Sequence, residues 1–179
     1  AISYAVKAEK AVGGIVITAS HNPAAFCGFK LKGHFGGSAA SETCQAVEAL
    51  LDAKPVKSLE LHLAKLRRLI RVRNLHVPHA RAIRKLVDFD LIAHSGLRFA
   101  HDALFGVGAG SFEKILDGTQ CKVTTLNAEH DPFFGGIHPE PIVHNYGPSA
   151  VFLKKNPHDL CLVTDGDADR VGGMDGRGN

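Results

Sequence analysis

The sequence predicts an α/β protein built as two three-layer α/β/α units with mixed, mainly parallel sheets, and three observations carry that expectation. Short apolar runs that suit buried strands alternate with stretches of helical composition, which is the rhythm of βαβ construction. The chain has 179 residues, against about 150 for a typical domain, which leaves room for one large or two small cores. Its 45% hydrophobic and 22% charged residues sit near the globular average. No apolar run approaches the roughly 18 residues of a membrane span, so a soluble protein without a membrane partner is expected.

From the start of the chain, Ser3 to Val12 has helical composition, and Gly13-Gly14 ends it ahead of Ile15-Val16-Ile17-Thr18, a buried strand by its β-branched apolar content. Gly28 to Lys32 alternates as a second strand. A loop at Gly33 to Gly37 leads to a helix from about Ser38 to Asp52, with Ala46, Val47, Leu50 and Leu51 on one face. A Leu- and Arg-rich stretch follows Pro55, with a strand expected at Leu69 to Val72. The second unit begins near Pro78, giving units of residues 1–77 and 78–179. It reads as helix His79 to Val87, a short helix near Asp90 to His94, strand Leu97 to His101, helix Ser111 to Leu116 and strand Lys122 to Leu126. Helix Pro148 to Lys155 and strands Leu160 to Thr164 and Val171 to Met174 complete it. The only methionine is Met174, so Ala1 is not a translation start, and no returning strand follows the turn Asp175-Gly176-Arg177-Gly178. Both ends are expected to be truncated, leaving Val171 to Met174 with unpaired backbone groups or a borrowed neighbour.

The charge balance excludes several functions. A net charge of +3 is too small for a general nucleic-acid coat. The cluster Lys65, Arg67, Arg68, Arg71 and Arg73 has no interleaved aromatic residues for base stacking and reads as a solvated face. Cys27, Cys44, Cys121 and Cys161 form no C-x-x-C pair, and the eleven histidines show no zinc spacing. A reduced, cytoplasmic protein is expected.

Two constellations carry chemistry. The first is Thr18-Ala19-Ser20-His21-Asn22-Pro23, where a strand gives way to a loop, the place at which open α/β sheets put ligand sites. Ser20 is placed as a nucleophile, although a Ser-His pair taken alone is more often a turn serine bonded to its own backbone. The glycines of a hydrolase elbow are replaced by Thr18 and Asn22, which disfavours acyl transfer and leaves phosphoryl transfer open. The second is Thr164-Asp165-Gly166-Asp167-Ala168-Asp169-Arg170, directly after an apolar strand. Three carboxylates at i, i+2 and i+4 repel one another unless they converge on a hard divalent cation, and Mg²⁺ is the expected ion, the alternative being a solvated acidic turn. The EF-hand positions for Gly and Glu hold Arg170 and Gly176, so calcium sensing is excluded. Arg170 can hold phosphate oxygens with its planar fork. The turn Gly106-Val107-Gly108-Ala109-Gly110 lacks dinucleotide-binding spacing and reads as structural.

Together, Thr-Ala-Ser20-His-Asn-Pro, then Gly28-Phe29-Lys30, and Asp165-Gly-Asp-Ala-Asp-Arg170 resemble the α-D-phosphohexomutase family, the phosphoglucomutases and phosphomannomutases. The likeness extends to Ile2 to Val6, Leu97 to Gly110 and His138-Pro139-Glu140-Pro141. It implies a four-domain enzyme in which a phosphorylated Ser20 exchanges its phosphoryl group with a hexose phosphate through a bisphosphorylated intermediate such as glucose 1,6-bisphosphate. It further implies that Asp165, Asp167 and Asp169 hold Mg²⁺ together with a phosphoserine oxygen of Ser20. Arg170 would steady the phosphoryl group, and Lys30, with His21 nearby, would serve proton transfer. Domains 3 and 4, which carry the family's sugar- and phosphate-recognition loops, have no counterpart here and would be partners. This stretch alone is then expected to be inactive. Thr18, where glucosamine-type members tend to have Ser, leans toward the gluco/manno group. Two other readings of the same residues stand beside this one: a phosphatase or phosphotransferase with Asp165 as nucleophile and Asp167 as acid/base, and a non-catalytic domain that binds a partner.

Overall fold

The computed structural model describes residues 1–179, and contacts gather them into two units, Ala1–Val16 with Lys30–Ala82 and Ile17–Phe29 with Ile83–Asn179. By sequence the serine loop falls within residues 1–77; by contacts it sits with the acidic loop.

In the first unit, helix α1 (Ile2–Ala8) covers one side of a two-stranded sheet made of β1 (Gly13–Ile17) and β2 (Phe29–Gly33). Val6 is buried there, and its Cγ2 lies 2.6 Å from where a side chain on Gly14 would begin, so only glycine lets the helix approach. Burial alternates along β1. Ile15 and Ile17 remain 54% and 63% exposed, so the strand expected to be buried is covered on one face only, because nothing in this unit packs on the other.

Helix α2 (Ser41–Glu48) is shorter than expected and has no buried residue. Val47, Leu50 and Leu51 stay exposed, since no element packs against the apolar face on which the longer helix was inferred. Helix α3 (Leu61–Leu66) occupies part of the Leu- and Arg-rich stretch. The strand expected at Leu69 to Val72 is absent: Arg68 turns the chain at φ +58, Leu69 and Val72 are exposed, and no neighbouring strand offers a ladder. Helix α4 (His76–Arg84) starts earlier than expected because the Asn74 side chain accepts from the His76 amide at 2.9 Å. Pro78 therefore sits in a first helical turn, where its missing N–H costs nothing, and does not break the chain.

The second unit holds α5 (Phe89–His94), β3 (Arg98–Asp102), α6 (Ser111–Leu116), β4 (Lys122–Leu126), α7 (Gly147–Lys155), β5 (Leu160–Thr164) and β6 (Val171–Asp175). Its sheet runs β4-β3-β5-β6. β3 is parallel to both β4 and β5, and β6 is antiparallel to β5, so the sheet is mixed and mainly parallel as expected. Phe99 through Asp102 are buried in succession, the pattern of a strand covered on both faces. Phe99 and His101 turn toward Phe112 of α6, with ring centroids 5.3 and 4.8 Å away. Ala100 packs in the core of Leu104, Leu153, Cys161, Val163 and Met174, and Asp102 accepts a hydrogen bond from Ser149 of α7. Helices thus cover both faces.

β6 ends the sheet, and no strand returns along its outer edge, as expected; its inner edge is paired. It bonds to β5 from Thr164↔Val171 to Leu160↔Asp175, because the acidic loop is itself the hairpin connection that returns the chain. No helix of the protein is long and apolar enough to cross a membrane.

Candidate phosphoryl-transfer site

Asp165 begins the loop at the end of β5 and is fully buried. Its Oδ1 accepts from the amides of Asp169 and Arg170 at 2.9 and 3.1 Å, and its Oδ2 accepts from Arg170 Nε at 3.0 Å. One side chain therefore closes the turn and fixes the guanidinium beside it. Ala168 takes a left-handed φ of +56, which bends the chain between Asp167 and Asp169. The result is convergent: ligand oxygens of Asp165, Asp167 and Asp169 all lie within 4.8 Å of one another. An all-oxygen, triply anionic set of this size suits a hard cation such as Mg²⁺, and it matches no soft-metal site.

The neighbouring loops hold this turn from both sides. Gly166 donates its amide to Pro139 O at 3.0 Å and accepts from the Val107 amide at 3.1 Å. A Cβ on Gly106 would lie 2.8 and 2.9 Å from the carbonyl oxygens of Gly166 and Asp165, and one on Gly108 would lie 2.6 Å from Thr164 Oγ1. The glycine-rich turn is structural, as expected, but its specific task was not legible: it forms the back wall of the acidic loop. Gly106→Ala is expected to push that loop outward, with a stability loss of about 1–3 kcal/mol and weaker Mg²⁺ binding, read by urea unfolding and calorimetry.

The serine loop meets the acidic loop directly. Thr18 Oγ1 donates to Asp167 Oδ2 at 2.8 Å and accepts from the Ser20 amide at 2.9 Å, so one hydroxyl joins segments 149 residues apart. The Ser20 carbonyl oxygen lies 2.7 Å from where a Gly166 side chain would begin. Ser20 itself holds a left-handed φ of +58, a conformation that needs support from its surroundings in a residue with a Cβ. His21 Nε2 stands 3.9 Å from Glu140 Oε1, and Arg170 Nη1 stands 3.4 Å from the same oxygen. Arg170 Nη2 and His21 Nδ1 are buried without a hydrogen-bond partner. The structure thus brings Ser20, His21, Asp165, Asp167, Asp169 and Arg170 together within the second unit; Lys30 is a residue of β2. Glu140 stands in the His138-Pro139-Glu140-Pro141 segment, to which sequence reasoning gives no role of its own; a carboxylate between two prolines was the only signal available.

Behind the site, fully buried His101 places Nε2 at 3.0 Å from Thr164 Oγ1, the residue before Asp165. Burial holds its pKa below the ordinary 6.5, with Glu113 and Asp102 pulling weakly the other way. The unfolded chain therefore binds a proton at a higher pH than the folded one. His101 stabilises fully above about pH 6.5 and loses that contribution as pH falls below it, by up to about 1.4 kcal/mol per pH unit. His101→Gln is expected to flatten this fall, measured as unfolding midpoints on either side of that pH. Burial likewise pushes the Cys161 thiol up to about 11, with the Asp102 charge adding to it, which leaves it an inert core residue.

Comparison with known proteins shows the family of the chain. Residues 1–57 match the pattern described as phosphoglucomutase/phosphomannomutase, alpha/beta/alpha domain I, and residues 77–178 match that of domain II. The chain belongs to the phosphoglucomutase/phosphomannomutase family. It is 32% identical over 99% of its length to a phosphoglucosamine/phosphogalactosamine mutase of Sulfurisphaera tokodaii, of which it covers 39%. It is also 32% identical to a phosphoglucomutase/phosphomannomutase of Thermococcus kodakarensis, covering 99% of this chain and 38% of that one. The crystal structure of a Thermus thermophilus protein described as a phosphomannomutase superposes with a TM-score of 0.87 at 31% identity, over 99% of this chain and 39% of the other. The chain thus spans about two fifths of the length of these relatives.

Proposed function

We propose that this chain supplies the phosphoserine and metal loops of a phosphohexomutase, an isomerase that interconverts hexose 1-phosphate and hexose 6-phosphate through a bisphosphorylated sugar. The hydrogen bond from Thr18 to Asp167 carries the reading, because it sets a serine nucleophile beside a carboxylate cluster. In this reading the phosphoryl group moves between Ser20 Oγ and a sugar oxygen. As one O–P bond forms the other breaks, and the hydroxyl proton released passes to a nearby base. His21 is adjacent to Ser20 in sequence, and family likeness assigns the proton-transfer role to Lys30. Arg170, fixed by Asp165, has Nη2 available for phosphoryl oxygens. Asp165, Asp167 and Asp169 would hold Mg²⁺, which neutralises charge on the phosphoryl oxygens when bound. The need is large, since a phosphoserine adds roughly −1.5 to −2 charges beside three carboxylates.

The rival reading, with Asp165 as nucleophile, is not favoured. Both of its oxygens are engaged by the loop and by Arg170, and it is fully buried. A remnant without catalysis would have no use for a strained Ser20 held against the acidic loop. The remaining domains of the relatives are the proposed partners for the far end of the sugar phosphate, and four free cysteines agree with a reducing, cytoplasmic setting.

A coupled assay with glucose 1-phosphate, Mg²⁺ and glucose 1,6-bisphosphate tests the division of labour. The 179-residue chain is expected to take up phosphate on Ser20 yet to turn over far below the roughly 1 per second of an ordinary enzyme. Phosphoryl transfer depends on positioning, and nothing described here grips the second phosphate. Ordinary turnover by this chain would show that it positions both ends of the sugar unaided.

A further inference from the structure

We infer that Glu140 is a positioning residue that ties the serine loop to the acidic loop, an inference that rests on the reading of Ser20 as the phosphoryl carrier. One oxygen, Oε1, faces both Arg170 Nη1 at 3.4 Å and His21 Nε2 at 3.9 Å. Arg170 belongs to the metal loop and His21 follows the nucleophile, so a third segment bridges the other two. That segment is itself rigidly held. The Glu140 amide donates to His138 O at 2.8 Å, and its carbonyl accepts from the Ile142 amide at 2.8 Å and from Asn145 Nδ2 at 2.9 Å. Just before it, Pro139 O receives the Gly166 amide at 3.0 Å, and the proline ring lies 3.3 Å from where a Gly166 side chain would begin.

The arrangement divides the guanidinium of Arg170 among three tasks. Nε is held by Asp165 Oδ2, Nη1 by Glu140 Oε1, and Nη2 is left buried and unpartnered. Two carboxylates thus fix the plane of the fork and leave one edge of it for an anion. On the other side, the same Glu140 oxygen stands 3.9 Å from Nε2 of His21, within ion-pair but not hydrogen-bond distance, while the second ring nitrogen, Nδ1, stays unpartnered. Such part-exposed ion pairs contribute little to stability, since the Arg170 and Glu140 side chains are 39% and 29% exposed. The contribution of Glu140 is therefore orientation.

The test compares the wild-type chain with Glu140→Ala and Glu140→Gln by two readouts. The first is the rate of Ser20 phosphorylation by glucose 1,6-bisphosphate in Mg²⁺, followed by intact mass. The second is amide hydrogen exchange at residues 18–22 and 166–170, with β3 and β5 as internal reference. Glu140→Ala is expected to slow phosphorylation roughly tenfold to a hundredfold, to raise exchange in both loops, and to leave the reference strands and the melting temperature unchanged. Glu140→Gln keeps an oxygen that accepts from Arg170 and is expected to recover most of the rate. Unchanged loop exchange in Glu140→Ala, or raised exchange with an unchanged rate, overturns the positioning role. Equal loss in both variants overturns the hydrogen-bonded tie in favour of a through-space charge effect. If the wild-type chain takes up no phosphate, loop exchange alone decides: raised exchange in Glu140→Ala upholds the tie and unaltered exchange overturns it, while the phosphoserine reading is decided separately by the site of the phosphate in a protein that carries the remaining domains.

Discussion

Ser20→Ala is expected to abolish phosphate uptake from glucose 1,6-bisphosphate, a loss of several orders of magnitude, while leaving the fold intact. The two effects separate because the side chain and the backbone of Ser20 do different work. Its amide donates to Thr18 Oγ1, and its carbonyl oxygen packs against Gly166; both contacts survive the substitution. Alanine carries the same Cβ as serine, so the left-handed φ of +58 is no more costly after the change. What disappears is the Oγ that forms the bond to phosphorus, and loss of a nucleophile removes the covalent route altogether. Replacing a serine that served only as a turn residue would instead cost about 1 kcal/mol of stability and leave phosphate uptake unchanged. Intact mass after incubation, with thermal unfolding alongside, distinguishes the two.

Asp167→Asn is expected to weaken Mg²⁺ binding on the order of tenfold or more, from loss of one of three anionic ligands. The substitution is close to isosteric. An asparagine oxygen can still accept from Thr18 Oγ1, so the bridge between the serine and acidic loops is retained and charge is the variable that changes. Asp165 would be a poorer probe, because it also holds the Asp169 and Arg170 amides and the Arg170 guanidinium, and its removal would deform the loop. Calorimetric titration measures the effect directly. Equal affinity in the two proteins would place the cation elsewhere.

The second unit was legible in the sequence almost element by element, and the first was not. Leu160 to Thr164 occurs at its expected bounds because an apolar run bounded by turns leaves little choice when the strand is buried, and Lys122 to Leu126, an edge strand with no buried residue, was marked by its β-branched content. In residues 1–77 the same signals misled. Ile15, Ile17, Val47, Leu50 and Leu51 are apolar at the right period, yet periodicity reports which residues could be buried and not whether anything covers them. Leu69 to Val72 has strand composition without a partner strand.

At the site, Ser20 and the three aspartates stood out because their residue types announce their chemistry. Gly106 and Gly108 did not, since their task is to leave space for a loop some 60 residues away, and spacing along the chain carries no trace of that. The His101–Thr164 bond and the two contacts of Glu140 are likewise products of the folded sheet.

The central claim is that phosphate resides on Ser20 and not on an aspartate, and one measurement addresses it: the site and lability of the phosphate bound after incubation with glucose 1,6-bisphosphate and Mg²⁺. Tandem mass spectrometry is expected to place it on Ser20, as an ester stable to acid and to hydroxylamine but lost in strong base. A hydroxylamine-labile acyl phosphate on Asp165 would contradict the account.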